Sequence, residues 1–354
     1  MSRISVRVLV MLLALTAGVT FAQNLDESLQ KLAGSAGKAY ISPIVTNLGV
    51  NLNTGWMNRA PEKKRLGFDL EFGMVAMSSD FTKVSAKTFS LSSAFRFDKS
   101  QAMELTVGVT DVEIRNQVIT QITQQDMDVT IAGATIAGSA GDRIKVLFSG
   151  KTFTINSAFP VEVILPAQEI DLGVGGLMGG VESLPSVAPQ IKLGTVFATK
   201  AIFRMMPEIE LGDSIGKFNY FGFGLEHNLS YWLEFIPLDI HAGFLTQTAK
   251  IGDAMKFTGT TYGLNVSKKF GFWLMTLTPY AGFAMESSML SVNLTRKLET
   301  ATGTQETKIA FDAEGEGKSR FTVGAYIKLF LLGLDLEYSA AKANTMSASL
   351  MFNF

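Results

Sequence analysis

The sequence predicts an all-β fold, an antiparallel transmembrane β-barrel of about ten strands (roughly 8 to 14) with a short N-terminal helical plug. Three observations predict it: many segments alternate polar and apolar residues, the chain begins like an exported protein, and it ends on a phenylalanine inside an alternating segment. The composition agrees. Hydrophobic residues make up 47% and charged residues 18% of the chain, and the latter is below the roughly 25% that is usual in soluble domains.

Residues 1–22 have the pattern of a secretory signal peptide. Arg3 and Arg7 precede an apolar run, and small residues then lead to Ala22, after which cleavage is expected. An N-terminal membrane anchor is the alternative, but the apolar run is shorter than the roughly 20 residues that span a bilayer. The chain contains no cysteine, which excludes disulfides, thiol catalysis, thiolate metal sites and a lipid-modified cysteine.

Residues 23–60 are predicted to form the helical plug. Leu25, Leu29 and Leu32 recur at helical spacing, whereas the part that follows is interrupted by residues such as Pro43 and is too irregular for a barrel strand. The apolar residues of this segment cannot all face water at low cost, because burial of apolar surface is worth roughly 25 cal/mol per Å². These residues are expected to be buried in the mouth of the barrel.

The barrel itself is predicted over residues 61–354. From Leu66 onward, and again after Pro189, apolar residues occupy every second position, as they do in strands with two different faces. Short polar joins favour antiparallel neighbours, and both chain termini are expected in the periplasm, which requires an even strand number. A soluble two-layer β-sandwich with its apolar faces turned inward is the alternative.

Two regions interrupt this pattern. A long insert at about 98–188 combines alternating pieces with a polar run and a glycine-rich piece, so strands, long loops or an accessory hairpin are expected there. A second long loop, with strand at its edges, is expected at about 293–320.

If the apolar face of the barrel contacts lipid, the opposite face lines the interior. Charged residues of both signs fall on that face, and a charged constriction that selects solutes is one interpretation. Mutual neutralisation of buried charges is the other, and it is favoured because neither sign dominates. The candidate lumen-lining residues are Asp69, Glu71, Lys192, Lys200, Arg204, Glu226, Asp239, His241, Lys269, Glu286, Arg320, Lys328, Asp335 and Glu337.

A catalytic site is not predicted. His241 falls on the lumen face two residues from Asp239, and such a pair could orient an imidazole for base catalysis. No G-x-S-x-G motif accompanies it, no metal-ligand spacing occurs, and no phosphate-binding loop is present. A net charge of −1 gives no general attraction to nucleic acid. The sequence therefore predicts no cofactor, no metal and no enzymatic activity.

The C-terminal segment, TMSASLMFNF, alternates between polar and apolar residues up to its last position. Such a strand would be an adhesive edge in a soluble protein, and pairing with the first strand would close a barrel and remove that edge. Leu350, Phe352 and Phe354 resemble the assembly signal of outer-membrane barrels, which a machinery can recognise by strand addition. The expected partners are therefore outer-membrane lipid and the barrel-assembly machinery.

A set of glycine, aromatic and polar residues recurs in a recognisable order: Gly55, Trp56, Pro189, Gln190, Gly194, Arg204, Pro207, Gly222, Gly224 and His227. In these residues the chain resembles a family of bacterial outer-membrane barrel proteins of unknown function, over most of its length after the signal peptide and least across residues 98–182. Where that family has Gly-Thr-Glu, this chain has Ala198-Thr199-Lys200. A helical head before a barrel is similar to the plan of the fatty-acid transport barrels, which implies a plugged lumen.

The expected function is passive passage of small molecules, with hydrophobic ones favoured, through the outer membrane of a gram-negative bacterium. A structural or ligand-binding barrel without transport is the first alternative. A barrel-embedded hydrolase is the second and weaker alternative. No motif in the sequence names a substrate.

Overall fold

The computed structural model of the protein describes residues 27–82, 86–155, 161–210, 217–233, 235–300 and 303–354. The predicted signal peptide and Leu25 of the predicted plug lie outside these ranges. The chain divides into two compact units. The insert unit comprises Met1–Ile41 and Ala86–Gly180, and the barrel unit comprises Ser42–Ser85 and Val181–Phe354.

The α-helices of the described residues are α1 (Glu27–Leu52), α2 (Lys99–Leu105) and α3 (Val112–Gln124). The stretch that the sequence excluded as a barrel strand is helical as far as Leu52, because α1 continues through Pro43. Side-chain hydrogen bonds from Asn47 to Asp80 and from Asn51 to Ser79 hold its later turns, and this tertiary contribution offsets the cost of the proline. Within the described ranges, no helix combines the length and the apolar character needed to cross a membrane.

The strands of the described residues are numbered along the chain. They are β1 (Leu66–Asp80), β2 (Thr88–Phe95), β3 (Met127–Ala134), β4 (Lys145–Phe148), β5 (Lys151–Ile155), β6 (Val161–Leu165), β7 (Gln168–Asp171), β8 (Ser183–Val196), β9 (Thr199–Glu210), β10 (Lys217–Asn228), β11 (Asp239–Ile251), β12 (Met255–Ser267), β13 (Phe270–Phe272), β14 (Met275–Thr300), β15 (Gly303–Glu314), β16 (Ser319–Leu329), β17 (Leu332–Ala340) and β18 (Thr345–Asn353).

The insert unit contains a four-stranded antiparallel sheet, in the order β2-β3-β4-β7, and the separate hairpin β5–β6. The expected strands and hairpin are therefore present, but the polar run forms helix α3. Asp111 caps this helix by accepting hydrogen bonds from the backbone of Glu113 and Ile114. Val118 and Ile122 on its apolar side are buried. A capped helix with one apolar side explains why a polar stretch is ordered here.

Ten of the described strands form a closed antiparallel ring, as the sequence predicts. The order is β1-β8-β9-β10-β11-β12-β14-β16-β17-β18, and β18 pairs with β1 from Glu71↔Asn353 to Ser79↔Thr345. Strand β14 completes the ring because it pairs with both β12 and β16. Strands β13 and β15 add shorter pairings to β14. Each strand of the ring has two neighbours, so the ring has no open edge.

The two faces of the ring differ as the alternating sequence predicts. On β18, the outward residues Leu350 and Phe352 are exposed, and the inward residues Thr345 and Ser349 are buried. Burial likewise changes at every residue along β17. The barrel thus has an apolar outer surface and a largely polar interior.

The long loop expected at about 293–320 is replaced by a hairpin. Strand β14 continues to Thr300 and pairs with β15 from Met289↔Glu314 to Thr300↔Gly303. Strand β16 starts soon afterwards, at Ser319. The continuous cross-strand register explains how a polar stretch remains in strand conformation beyond the ring.

The two ends of the barrel carry different connections. At one end, here called the Phe354 end, the turn at 330–331 and the C terminus are joined by the hydrogen bond from Asn353 N to Leu331 O. At the other, the Asp80 end, β1 meets the turn at 341–344 through the hydrogen bond from Asp80 N to Asn344 O.

Residues 42–65, here called the lumenal segment, run through the barrel from the Asp80 end to the Phe354 end. Ser42 contacts Glu316 beside the first end. The carbonyl oxygens of Lys64 and Arg65 accept hydrogen bonds from the 197–198 turn at the other end, both at 2.9 Å. The lumenal segment thus begins at the end opposite Phe354. The predicted position of the N terminus concerns residues outside the described ranges.

Candidate functional site

The lumenal segment fills the barrel with polar contacts. Asn47 and Asn51 bind β1, and Asn51 also donates to the Leu184 carbonyl oxygen of β8 at 2.5 Å. Further along the segment, Thr54 shares a 2.8 Å hydrogen bond with Thr345 of β18. These side chains are almost fully buried. The segment is therefore bonded to several strands and occupies the space that a channel would need.

Trp56 lies at the centre of this segment and is 2% exposed. Its indole packs against Ile202 and Leu245 of the barrel wall. The Arg204 guanidinium lies over the ring, 4.1 Å from its centroid, in the geometry of a cation–π contact. Gly222 makes room for the indole, since a Cβ atom there would approach Trp56 Cη2 to 2.5 Å.

Arg204 also binds the main chain around this ring. Its guanidinium donates to the carbonyl oxygens of Thr54 and Gly55 at 3.0 and 2.7 Å. Gln190 of the neighbouring strand accepts two further hydrogen bonds from it, at 2.9 and 2.8 Å. Gly55 has φ +72, a conformation that favours glycine, and this turn directs the carbonyl oxygens toward the cation.

Two other buried cations bind carbonyl oxygens of the lumenal segment. Arg320 of β16 donates to Val50 O at 2.7 Å, and Lys192 of β8 donates to Trp56 O at 2.9 Å. Val50 lies in the last turn of α1, whose carbonyl groups lack partners within the helix. Positive charge near a helix C terminus is stabilising, so the charged barrel wall acts as the cap of α1.

Buried carboxylates neutralise the cations. Glu71 binds Arg59 at 2.7 Å and Lys200 at 2.5 Å, and Asp69 binds the same two cations at 3.3 and 2.7 Å. Lys200 thus pairs with the acidic residues of β1. These four residues form one neutral cluster near the Phe354 end.

A second group of buried ionisable side chains, which contains one ion pair, lies on β14, β16 and β17. Glu286 of β14 binds Arg320 at 2.6 Å, with the two side chains 1% and 4% exposed. The Tyr280 hydroxyl donates to Asp335 and lies 3.3 Å from Glu337. Glu337 also accepts the backbone N–H of Gly55, at 3.1 Å.

The Asp239–His241 pair considered in the sequence is not formed. Asp239 is half-buried at the Phe354 end and binds Lys63 at 3.0 Å. His241 is fully buried, and neither ring nitrogen has a hydrogen-bond partner among the described residues. Glu226, also fully buried, has two carboxylate oxygens without such partners in the described structure. In the described ranges, no three His, Asp or Glu side chains converge as metal ligands would.

Little free space remains beside the lumenal segment. A cavity of about 20 Å³ lies among residues that include Asn53, Trp56 and Thr261. This volume is enough for about one water molecule. The segment therefore occludes the described lumen.

The structure places the sequence-predicted lumen residues in three groups. Lys269 is exposed in the link between β12 and β13, because the alternation ends there, and it does not line the lumen. Asp239 and Lys328 are half-buried at the Phe354 end. The remaining candidates are buried inside the barrel: Asp69, Glu71, Lys192, Lys200, Arg204, Glu226, His241, Glu286, Arg320, Asp335 and Glu337.

Sequence reasoning missed the neutral half of this site. Gln190 and Gln247 bind Arg204 and Asn53 respectively, and Asn265 donates to Met57 O. Their inward position follows from the same period of two. They carry no charge and so are not marked by a pattern of charged residues. An amide on the inward face is nevertheless an equally direct signal of a buried hydrogen bond.

Solved structures of other proteins match this chain at low similarity. OmpT, an outer membrane protein of Vibrio cholerae, is 9% identical in the form lacking loop L8, with 82% of this chain and 100% of that chain covered and a TM-score of 0.23. Pseudomonas putida OprB is 9% identical, with 81% and 94% covered and a TM-score of 0.20. The beta domain of the Bordetella autotransporter BrkA is 12% identical, with 80% and 99% covered and a TM-score of 0.19.

Such low similarity does not bear on function, and the closed ring is established by the strand pairing of the chain itself. Among curated proteins, no sequence matches this chain. One family profile matches it along residues 1–354. The match agrees with the resemblance carried by Gly55, Trp56 and Arg204, which meet in the lumen. The chain belongs to the family described as Family of unknown function (DUF6588).

Proposed function

We propose that the protein is an exported outer-membrane barrel that is closed by its own lumenal segment and allows small polar solutes to pass when that segment is displaced. The observation that carries the proposal is the occluded lumen, in which a bonded segment with a separate hydrogen-bond network lies inside a complete ring of strands. A segment held by polar contacts can be released by competing polar groups.

The outer surface supports membrane insertion. Outward residues such as Phe283, Leu264 and Leu336 are about half exposed on the barrel, and a continuous apolar surface of this kind is costly in water. Strands of about 9 to 11 residues can cross the hydrocarbon core. The shortest ring strands, β17 and β18, each have 9 residues.

The Phe354 end supports an interfacial position. Phe197, Trp273 and Phe330 occupy tight turns with positive φ, and Trp273 is 93% exposed. Residues with side chains adopt this conformation at a cost, and such turns usually contain Gly, Asn or Asp. Aromatic rings are stabilised at the membrane interface, which offsets that cost. The arrangement supports the periplasmic interface for this end, and insertion by the assembly machinery through Leu350, Phe352 and Phe354.

The lumen lining favours polar solutes. Displacement of the segment would expose Lys192, Arg204, Glu286 and Glu337 to the passage, and all four are charged groups. The hydrophobic solute expected from the sequence would have to pass these charged groups, although the wall also carries a buried apolar cluster that includes Val75, Met77 and Phe257. A structural or ligand-binding barrel without transport is the second candidate, and it is favoured by the hydrogen bonds that hold the segment in place.

Single-channel conductance in planar bilayers tests the proposal with a matched pair of glycine variants. Gly222→Ala places a methyl group 2.5 Å from Trp56, so the indole must move and conductance should rise above that of the wild-type protein. Gly271→Ala is the control, because a Cβ there meets nothing within 4 Å. If the variant with a displaced segment shows no conductance, the proposed passage of solutes is wrong and the second candidate is favoured.

A further inference from the structure

We propose that the barrel contains a binding site for a short zwitterionic peptide that ends in an aromatic residue, and that Gly55 and Trp56 occupy this site in the closed state. The inference rests on the proposed function, because a ligand can enter only when the lumenal segment is displaced. Four contacts between the barrel and these two residues define the site.

The first contact is a slot for an aromatic ring. Arg204 stacks on the indole of Trp56 at 4.1 Å from the ring centroid, and Ile202 and Leu245 form apolar walls. The missing side chain of Gly222 leaves space for the outer edge of the ring. The slot therefore accepts a planar aromatic side chain and adds a cation–π attraction to its burial.

The other three contacts are made to the main chain by charged side chains. Gly55 N–H donates to Glu337 Oε1 at 3.1 Å. Gly55 O accepts from Arg204 Nη2 at 2.7 Å, and Trp56 O accepts from Lys192 Nζ at 2.9 Å. A carboxylate thus faces the amino side of this dipeptide, and an ammonium group faces its carboxyl side.

A free dipeptide of the same sequence complements these charges better than the chain does. In glycyl-tryptophan the group opposite Glu337 is an ammonium and the group opposite Lys192 is a carboxylate. In the protein both are neutral parts of peptide bonds. Charge-assisted hydrogen bonds are roughly twice as strong as neutral ones. The covalently attached segment holds the site through its high effective concentration, and a free peptide can compete with it.

The partners that each cation retains show where the carboxylate should bind. Displacement of the segment removes both hydrogen-bond partners that Lys192 has among the described residues, which are Trp56 O and Asn58 Oδ1. Lys200 keeps Asp69 and Glu71. A buried charge that loses its partners is strongly destabilising. An anionic group is therefore favoured beside Lys192 rather than beside Lys200.

Thiol labelling of the full chain tests the site. The protein contains no cysteine of its own, and Val50→Cys places a single thiol at a buried position of the lumenal segment outside the proposed site. This thiol reacts with a maleimide when the segment is displaced. A ligand that binds only the displaced state raises its population by about elevenfold at ten times its Kd. Glycyl-L-tryptophan, titrated to saturation, should raise the labelling rate by about tenfold or more.

An uncharged peptide and two variants of the protein complete the test. N-acetyl-glycyl-L-tryptophan amide has the same ring without either charge and should raise the labelling rate by no more than about twofold. Lys192→Met should abolish the response to glycyl-L-tryptophan. Asn51→Ala, which weakens the segment outside the site, should speed labelling without peptide and shows that the thiol reports displacement. An equal response to the neutral amide, or no response to the peptide while Asn51→Ala responds, overturns the site.

Labelling depends on displacement of the segment and does not require conduction. A protein that conducts in the Gly222→Ala form but does not respond to the peptide contradicts the peptide site alone. A protein that responds to the peptide but stays silent in bilayers contradicts passage alone and leaves a ligand-binding barrel.

Discussion

Neighbouring residues of the same strand meet different requirements on the two faces of the barrel. On β14, Phe283 and Met285 point outward and have no hydrogen-bonding group, whereas Glu286 points inward and binds Arg320 and Asn53. An outward residue needs only to be apolar, and many side chains meet that need. An inward residue needs a particular partner at a particular distance, because an unpaired buried charge is costly.

The two faces of the barrel should tolerate substitutions differently. The outer surface depends on a summed property, the apolar area, to which each residue adds a small and similar part. The lumen depends on pairs and small networks, in which the loss of one member leaves another unsatisfied. Substitutions inside the barrel should therefore have larger and more specific effects than substitutions outside it.

The largest effect is expected for Glu286→Ala inside the barrel. The variant leaves the buried Arg320 without its carboxylate and should lower the free energy of unfolding by about 3–5 kcal/mol. Urea unfolding of the folded barrel, followed by tryptophan fluorescence, measures this. The double variant Glu286→Met with Arg320→Met removes both charges and should recover most of the loss. A double variant as unstable as Glu286→Ala would show that altered side-chain packing, and not the unpaired charge, lowers the free energy of unfolding.

An intermediate effect is expected for Phe283→Arg on the outer surface. Phe283 is exposed on the outer face of β14, and a charge on a lipid-facing strand costs about 2–4 kcal/mol near the bilayer centre. Reversible unfolding in lipid vesicles measures this cost, and Phe283→Leu, which keeps the face apolar, is the control. Equal stability of the arginine and leucine variants would mean that this surface does not contact lipid.

The smallest effect on the folded barrel is expected from deletion of Phe354. Its ring stacks on Phe72 at a centroid distance of 5.8 Å, and such a pair contributes about 0.5–1.5 kcal/mol. The purified barrel should therefore unfold at nearly the same urea concentration. Insertion in cells should fall much more, because the machinery must recognise the strand before the ring closes. Phe354→Tyr keeps an aromatic ring and should insert normally. Normal insertion without residue 354 would rule out the assembly signal.

The ring of strands could be predicted because its signal is local. The period of two along β1 and β18 places Phe72 and Phe352 outward, whatever their neighbours are, and the closing of the terminal strand on β1 follows from the need to remove an open edge. The candidate lumen residues were found by the same rule. That rule fails at Lys269, where the strand ends and exposure no longer depends on alternation.

Which residues face inward and which outward follows from the sequence alone, because that choice depends on the geometry of a single strand. Which partners meet inside the barrel depends on the folded arrangement of the strands. Arg204 stacks on Trp56 from a position 148 residues away in sequence, and α1 continues past Pro43 because distant strands bind its later turns. Closing the ring brings ten inward faces around one segment, and pairing across that space depends on distances between strands that no local pattern contains.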